Sequence, residues 1–307
     1  MSKDTRRVVL FLLKIINNKK KLTLWLFVRF ISALFPLLTI YLFSLIIRAL
    51  ENHQTYSHIL FLLALTLTVR VVDNFSRIRS IFKLEKIISD IQFELHNYFT
   101  RGLKVTNKEQ RLKSLESIRN FSNAVVVTLQ IVRQPGVDSF VSLILIPSIL
   151  FFFDFKVFVL TVAYILTYYF TDHYTTQHYA SLKNTQNLKI ENYYAKLEVS
   201  NKTREEEKEF SGQFKKLCNS SFTEWFTLQS ITVFFYCLIL LILIPSILNG
   251  QKDIADLVLI IGYTNSTQIL LNSFSDINDK LTDTKVALIR LARSPHVASI
   301  SLKDLVE

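Results

Sequence analysis

The sequence predicts an all-α membrane protein with six transmembrane helices and two long cytoplasmic helical hairpins. Three observations predict it. Mean hydropathy is +0.29 over 307 residues. Six windows, at 22–48, 57–80, 134–153, 155–175, 226–248 and 254–275, approach or exceed the about 20 apolar residues that a bilayer core requires. Finally, 31 of the 36 Lys and Arg residues fall in four segments: the N-terminal tail, 77–133, 183–216 and the C-terminal tail.

The first window follows the basic cluster Lys19, Lys20 and Lys21 and is interrupted by Arg29 and Pro36. A packed membrane helix tolerates both, and Arg29 is close enough to the inner end to snorkel. No small-residue cleavage site follows, so the window is expected to remain as a helix rather than a removed signal. In the second window Arg70 and Asp73 are one turn apart and can neutralise each other. An intramembrane ionic pair is a functional candidate by default, and a structural ion pair is the alternative.

The apolar period continues beyond the second window through Ile81, Leu84, Ile88, Ile91, Leu95 and Tyr98, as a packing stripe on a helix leaving the span. Its return arm runs from Leu112 through Ile118 and Phe121 and is expected to break near Gln134, Pro135 and Gly136. A second hairpin repeats the plan, with one arm from Asp172 to about Tyr194, a polar reversal, and the arm TREEEKEFSGQFKKL. The organisation is therefore an amphipathic elbow at 1–21, a six-span region at 22–279 with hairpins at 81–133 and 176–222, and a helix and tail at 280–307. By the positive-inside rule both termini and both hairpins are cytoplasmic, and the location is the plasma membrane.

The octapeptide LILIPSIL occurs at 143–150 and again at 241–248. Both copies are read as proline kinks near the outer rim, with freed carbonyls satisfied by neighbouring helices. In the sixth window Asn265, Gln268, Asn272, Asp276, Asp279 and Asp283 recur every three or four residues along one stripe. Polar groups facing lipid cost several kcal/mol, so this face turns toward protein or a water-filled cavity. Interhelical hydrogen bonding and a cavity lining are the two readings.

Composition excludes several classes. The net charge of +11 lies between bilayer-compatible stretches rather than on a soluble basic face, which argues against nucleic acid. Five glycines (Gly102, Gly136, Gly212, Gly250, Gly262) are too far apart to write a phosphate loop, a dinucleotide turn or a nucleophile elbow. Cys218 and Cys237 imply neither a disulfide framework nor a thiolate metal site, and His173 and His178 are five apart rather than the four that stacks ligands. No metal, cofactor or catalytic residue is assigned.

The basic stretch Arg6 to Asn17, the two hairpins, NKTREEEKEFSGQF at 201–214 and KLTDTKVALIRLARSPHV at 280–297 together resemble the transmembrane domain of a six-span, type IV ABC exporter over nearly the whole chain. The chain departs from many members in ending at Glu307, where an ATPase domain would begin. SGQ at 211–213 lacks the paired glycines of an ABC signature and reads as helix surface.

The resemblance implies a non-enzymatic permease subunit, working as a homodimer or beside a homologous six-span chain, with ATP used by a separate nucleotide-binding partner. It places the ATPase contact at the hairpin tips, with Asn107, Lys108 and Glu109 on the first and Tyr193, Tyr194 and Leu197 on the second. A solvated turn at the first tip and packing between the arms at the second are the alternatives. The substrate path is assigned to Asn265, Gln268, Asn272, Arg70 and Asp73, and a hydrophobic peptide or lipid-like substrate fits. Two other functions share this scaffold: a proton-driven peptide transporter, with Asp73 as its candidate carboxylate, and a transport-inactive regulatory or self-protection protein.

Overall fold

The computed structural model describes residues 19–101, 108–197 and 204–293; the expected elbow helix at 6–17 lies outside them. Among the described residues every element is helical. They are α1 (Lys19–Ser32), α2 (Phe35–Glu51), α3 (Tyr56–Arg101), α4 (Lys108–Ile131), a π-helical turn (Val132–Gly136), α5 (Val137–Phe153), α6 (Phe155–Leu197), α7 (Arg204–Leu248) and α8 (Ile254–Arg293).

Among the described residues, five segments are long and apolar enough to cross a membrane: Lys19–Glu51, Tyr56–Arg101, Ser114–Phe153, Glu207–Leu248 and Ile254–Leu288. The window at 155–175 is not among them, because Lys156, Asp172, four tyrosines and several threonines dilute it. Its helix, α6, nevertheless runs antiparallel beside α7, which does qualify.

Two prolines act differently. The first span is split into α1 and α2, because Pro36 cannot donate a backbone bond and sits in the first turn of α2. The chain tightens there, with the Leu34 amide donating to the Ile31 carbonyl at 3.0 Å. At Pro135 the expected break is absent. The helix absorbs the missing donor by inserting a residue, and the Val137 amide donates five residues back, to Val132. Gly136 makes room for this turn, since a Cβ there would stand 3.0 Å from Ile277 Cδ1 of α8.

The chain divides into two compact units, one built from residues through Ser148 together with those from Asn249, the other Ile149–Leu248. In the first, α3 is unbroken for 46 residues, about 69 Å at 1.5 Å per residue. No Gly or Pro interrupts it. Beyond the span its Ile87, Ile91, Leu95 and Phe99 pack with Ile118, Phe121 and Val125 of α4 and Leu288 and Leu291 of α8. The expected stripe holds as far as Leu95, but Phe99 is buried where Tyr98 was expected, and Tyr98 is exposed. A strict heptad stripe drifts on a straight helix of 3.6 residues per turn, by about 20° per heptad, so the seam advances by one residue.

A hydroxyl ladder joins α4 to α8. The Thr128 hydroxyl donates to the Lys280 carbonyl at 3.0 Å and lies 2.8 Å from the Thr284 hydroxyl, which faces the Ala124 carbonyl as donor at 3.1 Å. Thr284→Val keeps the shape and removes this hydroxyl, so chemical unfolding of the purified protein is expected to show a loss of about 1–2 kcal/mol.

At the opposite end of this unit, Arg48 of α2 pairs with Asp256 and Asp253 around the start of α8, and the Ile254 amide donates to Glu51 at 3.2 Å.

The second unit is an antiparallel pair. Tyr164 meets Thr232 at 2.9 Å, Thr175 donates to Glu224 at 2.8 Å and Lys189 pairs with Glu209 at 3.3 Å, so one register holds along both helices. Asp154 opens α6 by accepting from the Lys156 and Val157 amides. One seam is buried, including Val157, Thr161, Tyr168, Leu228, Ile239 and Leu243, while Phe170, Tyr174, Phe222, Trp225, Phe226 and Val233 are exposed.

The LILIPSIL copies share one local device: Ser148 donates to Ile144 and Ser246 to Ile242, each a carbonyl four residues back. Their surroundings differ, since Ile146 and Leu150 are fully buried in the first copy and Ile244 and Leu248 are exposed in the second.

Candidate functional site

The strongest concentration of chemistry in the first unit is a group of four charges joining three spans. Arg29 of α1 has no exposed surface. Its guanidinium donates to Ser32 Oγ at 2.7 Å, to the Gln134 carbonyl at 3.1 Å and to Asp138 Oδ2 at 2.5 Å. Arg77 of α3 donates to the same carboxylate oxygen at 3.0 Å and, through Nε, to Asp73 Oδ1 at 3.2 Å. Two arginines and two aspartates therefore alternate, and the group is neutral as a whole. The π turn is part of the arrangement: it presents the Gln134 carbonyl and places Asp138 in the first turn of α5.

Two expectations are corrected. Arg29 does not snorkel to the helix end, because a carboxylate lies within reach inside the bundle. Asp73 does not pair with Arg70. Three residues apart on α3, Asp73 turns into the core and takes Arg77, four residues on, while Arg70 is exposed with Asn74 on the same flank. A further pair, Arg133 with Glu85, extends the charge pattern toward α4, and Gln130 donates to the same glutamate at 2.6 Å.

The polar stripe of the last span is present as a face. Tyr263, Thr267, Leu270 and Leu271 are buried, whereas Asn265 and Asp276 are exposed and Gln268, Asn272, Asp279 and Asp283 are half-buried. At 100° per residue the stripe lies opposite the packed side. Ile269 also falls on the open side.

Of the predicted contact residues, Asn107 lies outside the described residues, and Lys108 and Glu109 open α4. Tyr193, Tyr194 and Leu197 belong to the last turns of α6, so the helix continues past the reversal expected at Tyr194. The SGQ segment is inside α7.

The second unit holds two buried carboxyl groups, Asp172 and Glu224; Thr175 donates to Glu224 and Thr176 is buried beside them. Neither acid was singled out by sequence, nor were Arg77 and Asp138. The available signals were the four-residue spacing of Asp73 and Arg77, and Asp138 as the lone acid opening a 17-residue apolar segment. Among the described residues no three His, Cys, Asp or Glu side chains gather to hold a metal. Cys218 and Cys237 are free and exposed. No protein-family model and no curated protein matches the chain.

Proposed function

We propose that this chain is the permease subunit of an ABC-type exporter in the plasma membrane, moving a hydrophobic peptide or lipid-like substrate and driven by an ATPase on a separate chain. The observation that carries the reading is helix length. α3, α6, α7 and α8 run unbroken for 46, 43, 45 and 40 residues, about twice the roughly 30 Å hydrocarbon core at 1.5 Å per residue. Helices of this kind form stiff levers between an outside motor and the spans, and their projecting ends carry 16 of the 36 basic residues. On this reading those ends are cytoplasmic, Asn265, Gln268, Asn272 and exposed Arg70 line the path, and Asp73 serves only to hold Arg77. A second copy or a homologous chain completes the path and covers part of the exposed α6–α7 surface.

The motor contact falls at the ends of α6 and α4. Tyr193→Ala with Tyr194→Ala is expected to weaken copurification of an ATPase by about 2 kcal/mol, close to thirtyfold in Kd. Normal assembly by this variant removes the tyrosines from the contact, and native membranes that never yield an ATPase refute the proposal.

A proton-driven mechanism is favoured by a different observation, the buried Asp172 and Glu224, the latter accepting from the Thr175 hydroxyl. Asp73 is not the candidate here, because it is engaged with Arg77 in the charge group of the first unit. In that case Glu224→Gln abolishes uptake driven by a pH gradient while Asp73→Asn does so only through loss of stability.

A further inference from the structure

The charges that face the first bundle are matched: Arg29 and Arg77 by Asp138 and Asp73, Arg133 by Glu85. The opposite side of α3 behaves differently. Arg79, Lys83 and Lys86 are exposed and follow one another at intervals of four and three, so they form a single stripe. Among the described residues none of the three has a carboxylate partner. Like charges at these spacings repel, and Asp90, exposed on the same stripe four residues past Lys86, leaves the stripe with a net positive charge.

The neighbouring flank, about 75° around the helix, carries apolar surface before and among the cations: Phe75, Ile78 and Phe82 are 64%, 68% and 73% exposed. They lie about 180° around α3 from buried Asp73, Ser80 and Leu84. The Arg79 guanidinium rests 5.7 Å from the centre of the Phe75 ring, which holds it along the helix rather than out in solution. Arg79 is 23 residues past Tyr56, about 35 Å along the helix, and Lys86 about 45 Å. A bilayer core of about 30 Å with headgroups on each side therefore places Arg79 at the edge of the hydrocarbon and the lysines at headgroup level. At the same end, Leu22 and Trp25 of α1 pack against the core cluster that includes Ile87, directly after the exposed Lys19, Lys20 and Lys21.

We infer that this face of α3 binds an anionic phospholipid, with Arg79, Lys83 and Lys86 on the headgroup phosphates, Phe75 and Ile78 along an acyl chain and Phe82 at the interface among the cations. A zwitterionic lipid supplies the chain but leaves the three cations without net compensation. The inference rests on α3 crossing the bilayer and not on the exporter reading.

The test uses the full chain, delipidated in detergent and titrated with phosphatidylglycerol or phosphatidylcholine under native mass spectrometry. Each basic residue near an anionic surface is worth about fivefold in binding, so wild type is expected to prefer phosphatidylglycerol by roughly a hundredfold. Arg79→Gln with Lys83→Gln and Lys86→Gln should lose most of that preference, and Arg79→Lys with Lys83→Arg and Lys86→Arg should keep it. An unchanged preference in the glutamine variant overturns the inference. A photoreactive side chain replacing Phe82 identifies the occupant in mixed-lipid nanodiscs. Crosslinks mainly to phosphatidylglycerol support the site. Crosslinks to a second copy or to α6 or α7 overturn it, as does equal labelling of both lipids, whereas labelling of neither lipid shows that α3 does not cross the bilayer there.

Discussion

Asp138→Ala is expected to lower the unfolding free energy by about 3–5 kcal/mol, the cost of leaving a buried charge without its partner. The charge in question is Arg29. It has no exposed surface, and after the change its guanidinium keeps only Ser32 Oγ and the Gln134 carbonyl, two neutral acceptors. Arg77 is hurt less, because it is partly exposed and retains Asp73. A double-mutant cycle should therefore give a larger coupling of Asp138 to Arg29 than to Arg77. Replacing the first pair together, Arg29→Met with Asp138→Leu, removes both charges and is expected to recover most of the loss. Thermal and chemical unfolding in detergent measure wild type and each variant. If Asp138→Ala stays within about 1 kcal/mol of wild type, the four charges do not form a dry, mutually dependent group.

The features that sequence could reveal are those with a local period. α3 was legible over its whole length because its apolar residues recur without interruption and no breaker occurs between Tyr56 and Arg101. The polar face of α8 was legible for the same reason: Asn265, Gln268 and Asn272 share a stripe whatever packs behind them. Two kinds of information were missing. Pro36 and Pro135 look alike in sequence, yet one ends a helix and the other is absorbed by a π turn, a choice tied to Ile277 against Gly136 and Arg29 on the Gln134 carbonyl. The charge group was also out of reach, since Arg29 and Asp138 are 109 residues apart and meet only through the packing of their helices. Spacing alone allowed Asp73 either Arg70 or Arg77; burial of the aspartate decided it.

Gly262→Val is expected to cost about 3 kcal/mol, near the upper end of what overpacking a close contact usually costs. A Cβ built on Gly262 of α8 lies 2.6 Å from Ile40 Cγ2 of α2, well inside contact distance. Ile40 cannot yield easily, because Cγ2 is bonded directly to its Cβ and a β-branched side chain in a helix has one strongly preferred rotamer. The helices must instead move apart, against the Arg48 contacts to Asp253 and Asp256 near the start of α8. Gly262→Ala shows the same conflict at smaller size. Alanine gains at most about 1 kcal/mol of helix propensity over glycine, while the overlap costs about 1–3 kcal/mol, so a net loss is expected. Ile40→Leu moves the branch one atom outward and removes Cγ2 at constant volume. Combined with Gly262→Ala it should therefore exceed Gly262→Ala alone in stability, by unfolding of the purified proteins. A Gly262→Ala protein more stable than wild type would show that α2 and α8 do not approach this closely, and that Gly262 is a helix residue like any other.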